Sequence, residues 1–212
     1  GNTSIDALRL VTERYRWDSV FADHLRRKLE ALVGFDFSSQ NYVLVTSHRR
    51  ENQGEATKEL INCLFKLSKQ YSSCMFLVVM HPNPAAKRPF SDTLSDVRNI
   101  VLIESVEYVE FVLLLRACSF VITDSGGIQE EAPSFGKKVL IWRSVTERTE
   151  GVESGHAILV GGDSSTLMTE ASNILNRLPP YKIAEAEFQP TVYGDGYAAS
   201  KIVESIESLY EW

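Results

Sequence analysis

The chain of 212 residues has little cysteine: Cys63, Cys74 and Cys118 are its only three, and none forms a CxxC pair. A complete disulfide framework is excluded, because any pairing leaves one thiol over. All three lie in apolar helix or strand patterns, which suits small buried thiols in a reducing compartment. No apolar run approaches the roughly 20 residues of a membrane span, and no charged-then-apolar leader opens the sequence. A cytoplasmic protein with no membrane partner is the expectation. A basic excess is also lacking. The net charge is −6 with no basic stripe, so nucleic acid is not an expected partner. His24, His48, His81 and His156 lack ligand spacing with one another or with the cysteines, and no metal site is expected. No G-x-S-x-G elbow is present, which argues against a serine nucleophile. Internal repeats and low-complexity segments are absent as well.

What is present is ordinary globular composition, 44% hydrophobic and 24% charged, in a chain long enough for one substantial core. Short apolar or β-branched runs predict strands at Tyr42–Thr46, Met75–Met80, Ile100–Ile103, Phe120–Thr123, Val139–Trp142 and Ile158–Val160. Helical patterns lie between and around them. Thr3–Leu32 reads as one or two helices with Asp6, Arg9, Glu13 and Arg14 on a wet face. Glu59–Leu67, Tyr108–Ala117, Ile128–Phe135, Leu167–Leu178 and Ala198–Leu209 follow. The alternation predicts an α/β fold, a Rossmann-like three-layer α/β/α parallel sheet, whose ligand crevice lies at the carboxyl ends of the strands.

The most informative junction is Asp124-Ser125-Gly126-Gly127-Ile128-Gln129-Glu130-Glu131-Ala132-Pro133, where a strand stops at two glycines and restarts as a helix. Glycine allows close backbone approach, and the first amides of a helix have no intrahelical partner. Unpaired donors and the positive end of the helix dipole then face one spot, which suits a phosphate. Glu131 follows a little over one helical turn later, within reach of a ribose attached to that phosphate. A Gly-Gly turn also serves simply to pack a helix on a strand, so the turn alone does not decide between these readings.

The residues around it carry a resemblance. Ser125 to Ser134 is similar, nearly letter for letter, to the nucleotide-binding segment of the non-hydrolysing bacterial UDP-N-acetylglucosamine 2-epimerases. Ser47-His48-Arg49-Arg50-Glu51-Asn52, His81-Pro82-Asn83-Pro84, Thr146-Glu147-Arg148 and Tyr193-Gly194-Asp195-Gly196 resemble four further motifs of that family, in family order. Gly1-Asn2-Thr3-Ser4-Ile5-Asp6 is similar to the segment that follows the family's first domain. The resemblance implies the C-terminal half of a GT-B-like two-domain enzyme. Its parts would be an inter-domain helical segment (1–40), a Rossmann-like UDP-binding domain (41–178) and a tail with a crossover helix (179–212). The partners implied are UDP-GlcNAc or UDP and the N-terminal Rossmann-like domain, which would carry the catalytic carboxylates. A homodimer is left open.

The activity implied interconverts UDP-GlcNAc and UDP-ManNAc for bacterial surface polysaccharides, by elimination of UDP to 2-acetamidoglucal and re-addition, without a redox cofactor. The fragment alone is expected to be inactive. By resemblance, His48 is an active-site histidine near the diphosphate and sugar, and Arg49 clamps phosphate oxygens with Arg50 beside it. Phe111 packs on the uracil, while Ser125, Gly126, Gly127 and Glu131 hold the nucleotide. Arg143 and Arg148 are candidate phosphate or sugar ligands. Arg49 and His81 would face a second, allosteric UDP-sugar, and the Pro-Asn-Pro turn after His81 would form a rigid wall.

The chain departs from the family pattern at Ser144-Val145 and Thr149, where Asp-Thr and Pro are common, at Gln53, and at Thr191-Val192. None of these touches the Ser-Gly-Gly turn, so nucleotide binding is the safer expectation and sugar identity the weaker one. A GT-B glycosyltransferase donor domain and a non-catalytic UDP-sugar-binding regulator remain as alternatives.

Overall fold

The computed structural model describes residues 1–47, 54–179 and 185–210. The N-terminal segment forms two helices, α1 (Thr3–Trp17) and α2 (Ser19–Val33). Asn2 caps the first by accepting from the Ser4 amide at 3.0 Å, and Asp18 caps the second by accepting from the Phe21 amide at 2.9 Å. Asp18 thus splits one apolar periodicity into two helices. Gly34, at φ 75°, ends α2 in the left-handed conformation that glycine adopts without steric penalty.

Six strands follow: β1 (Tyr42–Ser47), β2 (Met75–Met80), β3 (Ile100–Glu104), β4 (Phe120–Thr123), β5 (Val139–Ile141) and β6 (Ala157–Leu159). They form one sheet in the order β3-β2-β1-β4-β5-β6, and every pairing is parallel. Helices α3 (Glu55–Gln70), α4 (Pro84–Leu94), α5 (Tyr108–Ala117), α6 (Gly126–Glu131), α7 (Thr149–Glu153) and α8 (Ser164–Leu175) lie between or after the strands, and α9 (Ala198–Tyr210) closes the chain. A 3₁₀ turn, Ala132–Phe135, extends α6 to Gly136.

Alternation along each strand builds two cores. Tyr42, Leu44, Leu77, Val121, Val139 and Ile141 face α1, α2 and α5. Val43, Val45, Phe76, Phe120, Ile122 and Leu140 face α3, α4 and α8. Both faces are covered, which is why the strands read as continuous apolar runs. Asn99, itself buried, donates to the carbonyls of Ser68 and Cys74 at 3.1 and 2.9 Å and ties the loops at the amino edge. Cys63, Cys74 and Cys118 are buried thiols, and burial pushes Cys63 up to about 11.

The expected α/β parallel sheet is what forms. Two helices went unread: α4, which starts at Pro84 and contains Pro89, and the short α7. Pro84 is tolerated because the first helical residue needs no intrahelical donor. Asp6 corrects a second expectation. It is buried, not on a wet face, because its carboxylate accepts from the Ala198 and Ala199 amides at 2.9 and 2.7 Å and so caps α9 across the chain. These bonds hold its carboxyl below the usual range. Arg9 stays nearby, its Nε donating to the Gly196 carbonyl at 2.8 Å and its guanidinium 4.2 Å from the Tyr197 ring centroid. Further along α9, Ile202 and Ile206 are half exposed. Replacing Asp6 with Ala is expected to speed hydrogen exchange of the Ala198 and Ala199 amides while leaving β4 protection unchanged; equal protection in both proteins would show that Asp6 does not carry the cap.

Candidate functional site

In sheet order β1 and β4 are neighbours, yet the chain leaves β1 toward α3 on one face and returns to β4 from α5 on the other. That reversal opens a crevice at their carboxyl ends. Hydrogen bonds close its floor: Thr46 and Thr123 share a bond between their hydroxyls at 2.6 Å, and Ser47 Oγ donates to Asp124 Oδ2 at 3.2 Å. Asp124 is fully buried. His48 and Arg49, which follow Ser47, lie outside the described residues, as does Arg50.

The turn after β4 begins with the Ser125 amide donating to Thr123 Oγ1 at 3.0 Å. Ser125 then stands at the N-cap of α6 with no side-chain bond to the helix amides. Neither Gly126 nor Gly127 has a positive φ, so backbone conformation does not require glycine at either position. A Cβ on Gly126 would sit 3.0 Å from Cζ and 3.2 Å from Nη2 of Arg148, while one on Gly127 would meet nothing within 4 Å. The Arg148 guanidinium therefore lies directly on the turn. Cation, turn and helix amides converge from two separate chain segments, an arrangement suited to a diphosphate.

Glu131 is buried one turn into this short helix, accepting from the Tyr108 hydroxyl at 3.1 Å. Burial pushes its carboxyl up to about 7, against the lowering effect of the Tyr108 bond, and the Glu130 charge raises it further. Tyr108 opens α5, whose capping box pairs Glu107 with Glu110. Phe111, one turn along from Tyr108, is half-buried and packs against the core that faces α5.

Arg143 is buried rather than looped into solvent. Its two terminal nitrogens donate to Glu147 at 2.8 Å each, a bidentate pair. His81 Nδ1 accepts from the Asn83 amide at 3.0 Å, and Asn83 Oδ1 accepts from the Ala85 amide at 3.0 Å, so His81 braces the turn that starts α4. The structure thus gathers Ser125, Gly126, Gly127, Glu131 and Arg148. Arg143 joins them only through the Glu147 beside Arg148, and His81 stands apart at the end of β2. Sequence reasoning passed over Tyr108, Gln129, Glu130 and Thr146 as site residues; for the last three the only signal was their place inside the Ser125 to Ser134 and Thr146 to Arg148 strings. Among the described residues no cluster of His, Cys, Asp or Glu has metal-binding geometry, and no helix is long and apolar enough to cross a membrane.

The sequence model of one family, UDP-N-acetylglucosamine 2-epimerase, matches residues 1–207. The chain belongs to the UDP-N-acetylglucosamine 2-epimerase family. The epimerase of Neisseria meningitidis serogroup A is 38% identical over 97% of this chain and 54% of its own length. That of Escherichia coli K12 is 37% identical over 98% of this chain and 54% of its own. The crystal structure of a Neisseria meningitidis UDP-GlcNAc 2-epimerase bound to UDP-GlcNAc aligns with a TM-score of 0.85 at 36% identity, covering 98% of this chain and 54% of that one. The Methanocaldococcus jannaschii enzyme in complex with UDP-GlcNAc and UDP aligns with a TM-score of 0.75 at 27% identity, covering 98% and 54%. The chain spans about half the length of these epimerases.

In this family member the raised pKa of Glu131 has a measurable consequence. A carboxyl that holds its proton more tightly when folded stabilises the protein below the unfolded pKa of 4.5, and that contribution is lost as pH rises through about 7. Replacing Glu131 with Gln removes the loss. The variant is expected to gain stability relative to the parent between pH 5 and pH 8, by up to about 3 kcal/mol. Urea unfolding at several pH values checks this; a constant difference would mean that Glu131 ionises normally.

Proposed function

We propose that this chain is the nucleotide-holding half of a UDP-N-acetylglucosamine 2-epimerase that interconverts UDP-GlcNAc and UDP-ManNAc for bacterial surface polysaccharides. The observation that carries the reading is the Arg148 guanidinium lying on Gly126 of the turn, with the buried Glu131 one helical turn away. In this reading residues 41–178 hold the nucleotide, residues 1–40 and 179–212 link them to an N-terminal Rossmann-like domain, and that domain carries the catalytic carboxylates.

Elimination breaks the bond between the sugar C1 and the diphosphate oxygen, and negative charge grows on the departing UDP. The first amides of α6 and Arg148 stabilise that charge from positions set before the reaction, so no reorganisation is needed as it develops. Glu131 accepts from the ribose hydroxyls and fixes the nucleotide along the turn. His48, carried past the end of β1, has a reference pKa near 6.5 and is suited to hold the leaving phosphate as a cation or to move a proton. Arg49 adds a second guanidinium on the diphosphate, Arg143 stands beside Arg148 in its bidentate pair with Glu147, and Phe111 supplies the aromatic contact for uracil. His81, with Arg49, is assigned to an allosteric UDP-sugar.

Calorimetric titration of the 212-residue chain with UDP and UDP-GlcNAc tests the reading. Saturable UDP binding is expected, weakened at least about tenfold in a Ser125→Trp, Glu131→Ala variant, with no epimerisation by the chain alone. UDP binding that survives the double substitution would place the nucleotide elsewhere.

A further inference from the structure

Two polar side chains of the turn helix have no part in the reading above, Gln129 and Glu130, and both are buried. Each reaches the 143–148 loop. Thr146 Oγ1 donates to Gln129 Oε1 at 2.6 Å and accepts from the Arg148 amide at 3.1 Å, which holds the backbone of Arg148 over α6. Arg148 Nε donates to Glu130 Oε1 at 2.9 Å, and the other oxygen of Glu130 accepts from the Asn2 side-chain amide. Both Glu130 oxygens are committed to protein donors, which separates it from Glu131, whose one protein bond among the described residues comes from a tyrosine hydroxyl.

A guanidinium is planar, so a bond to Nε sets the plane in which both terminal nitrogens lie. Glu147 also meets Arg148, at 3.4 Å, but its side chain is 57% exposed, whereas that of Glu130 is 12% exposed. The Glu147 carboxylate is already taken by its bidentate pair with Arg143, and its contact with Arg148 is the longer and more solvent-screened of the two. The buried Glu130 is therefore the group that decides where Arg148 Nη2 points, and Nη2 lies 3.2 Å from the place a Cβ would occupy on Gly126.

We propose that Glu130 is a positioning residue for diphosphate recognition: it does not touch the nucleotide, but sets the Arg148 guanidinium on the Ser125 to Gly127 turn, with the Gln129 to Thr146 strut holding the loop beneath. The assignment rests on the functional reading above. It also opposes simple electrostatics. A carboxylate so near an anion site repels the anion, so if proximity of charge were all that mattered, neutralising Glu130 would tighten UDP binding. If orientation of Arg148 matters more, neutralisation loosens it, and selectively for the phosphates.

The test compares the 212-residue chain with Glu130→Gln, Arg148→Gln and the double variant, each first shown to be folded by its thermal transition. UDP affinity is measured by calorimetry and uridine affinity by ligand-detected NMR. Glu130→Gln is expected to lose about tenfold in UDP affinity while uridine affinity stays within about twofold, and the double variant should bind UDP no more weakly than Arg148→Gln alone. Unchanged or tighter UDP binding in Glu130→Gln, an equal loss of UDP and uridine, or additive losses in the double variant would each overturn the assignment. If Glu130→Gln does not fold, Glu130→Asp, which keeps the charge but falls short of Arg148, is expected to show the same selective loss, and its failure to do so overturns the assignment equally. A parent chain that does not bind UDP overturns the functional reading first and this assignment with it; a parent that binds UDP while Glu130→Gln binds it equally well overturns this assignment alone.

Discussion

Strand β4 pairs with β1 on one side and β5 on the other, and all four of its residues are buried. A strand enclosed in this way on both edges and both faces can deliver its following turn to one place only, the carboxyl end of the sheet. The rest of the site depends on that confinement. Thr123 anchors the turn at its base, through its hydroxyl to the Ser125 amide and its carbonyl to the Trp142 amide at 2.9 Å. The second of these bonds also fixes the start of the 143–148 loop, so the turn and the loop that carries Arg148 are set by adjacent atoms of one residue.

On that base the site separates charge from burial. Arg148 stays one-third exposed and paired, and Glu130 raises its pKa further, so it remains a cation at every relevant pH. Glu131 is the opposite case: buried, with its carboxyl pushed up to about 7, it titrates around neutral pH, where small changes in surroundings matter. A carboxyl of this kind is costly to ionise in the free protein, and under the proposed ribose contact its favourable interaction would be concentrated in the bound state. Two adjacent glutamates are thus held differently: both oxygens of Glu130 are taken by Asn2 and Arg148, whereas Glu131 accepts from the Tyr108 hydroxyl.

Much of the fold was readable from the sequence for a physical reason. A parallel sheet covered on both faces needs unbroken apolar strands, and Met75–Met80 and Phe120–Thr123 were readable to the residue. Helix α4 was hidden because Pro84 and Pro89 read as breaks, although only Pro89 removes an intrahelical bond. Asp6 was misread because its partners, Ala198 and Ala199, lie more than 190 residues away, and local periodicity sees only Arg9 and Glu13 beside it. In the site, the Ser-Gly-Gly turn and Glu131 stood out through local spacing, whereas Glu130 and Thr146 act through bonds to distant or irregular segments that no pattern along the chain reports. The sequence argument about the glycines rested on close approach of a ligand to the backbone; in the structure the group against Gly126 is the guanidinium of Arg148, and a Cβ on Gly127 would meet nothing within 4 Å.

The departures from the family pattern then acquire a location. Ser144 and Val145 lie in the stretch between the bidentate Arg143 pair and the Thr146 strut, and Val145 is 63% exposed. Substitution there leaves every bond that holds Arg148 intact, because those bonds arise at Gln129, Glu130, Thr146 and Glu147. The loop is therefore built of a fixed end, tied to the helix behind the turn, and an exposed end that is free to vary. If the nucleotide rests on the fixed end, the contacts of the exposed end fall to whatever the diphosphate carries. Recognition of UDP and recognition of the sugar would then be physically separable in this domain, and the second can drift in sequence without cost to the first.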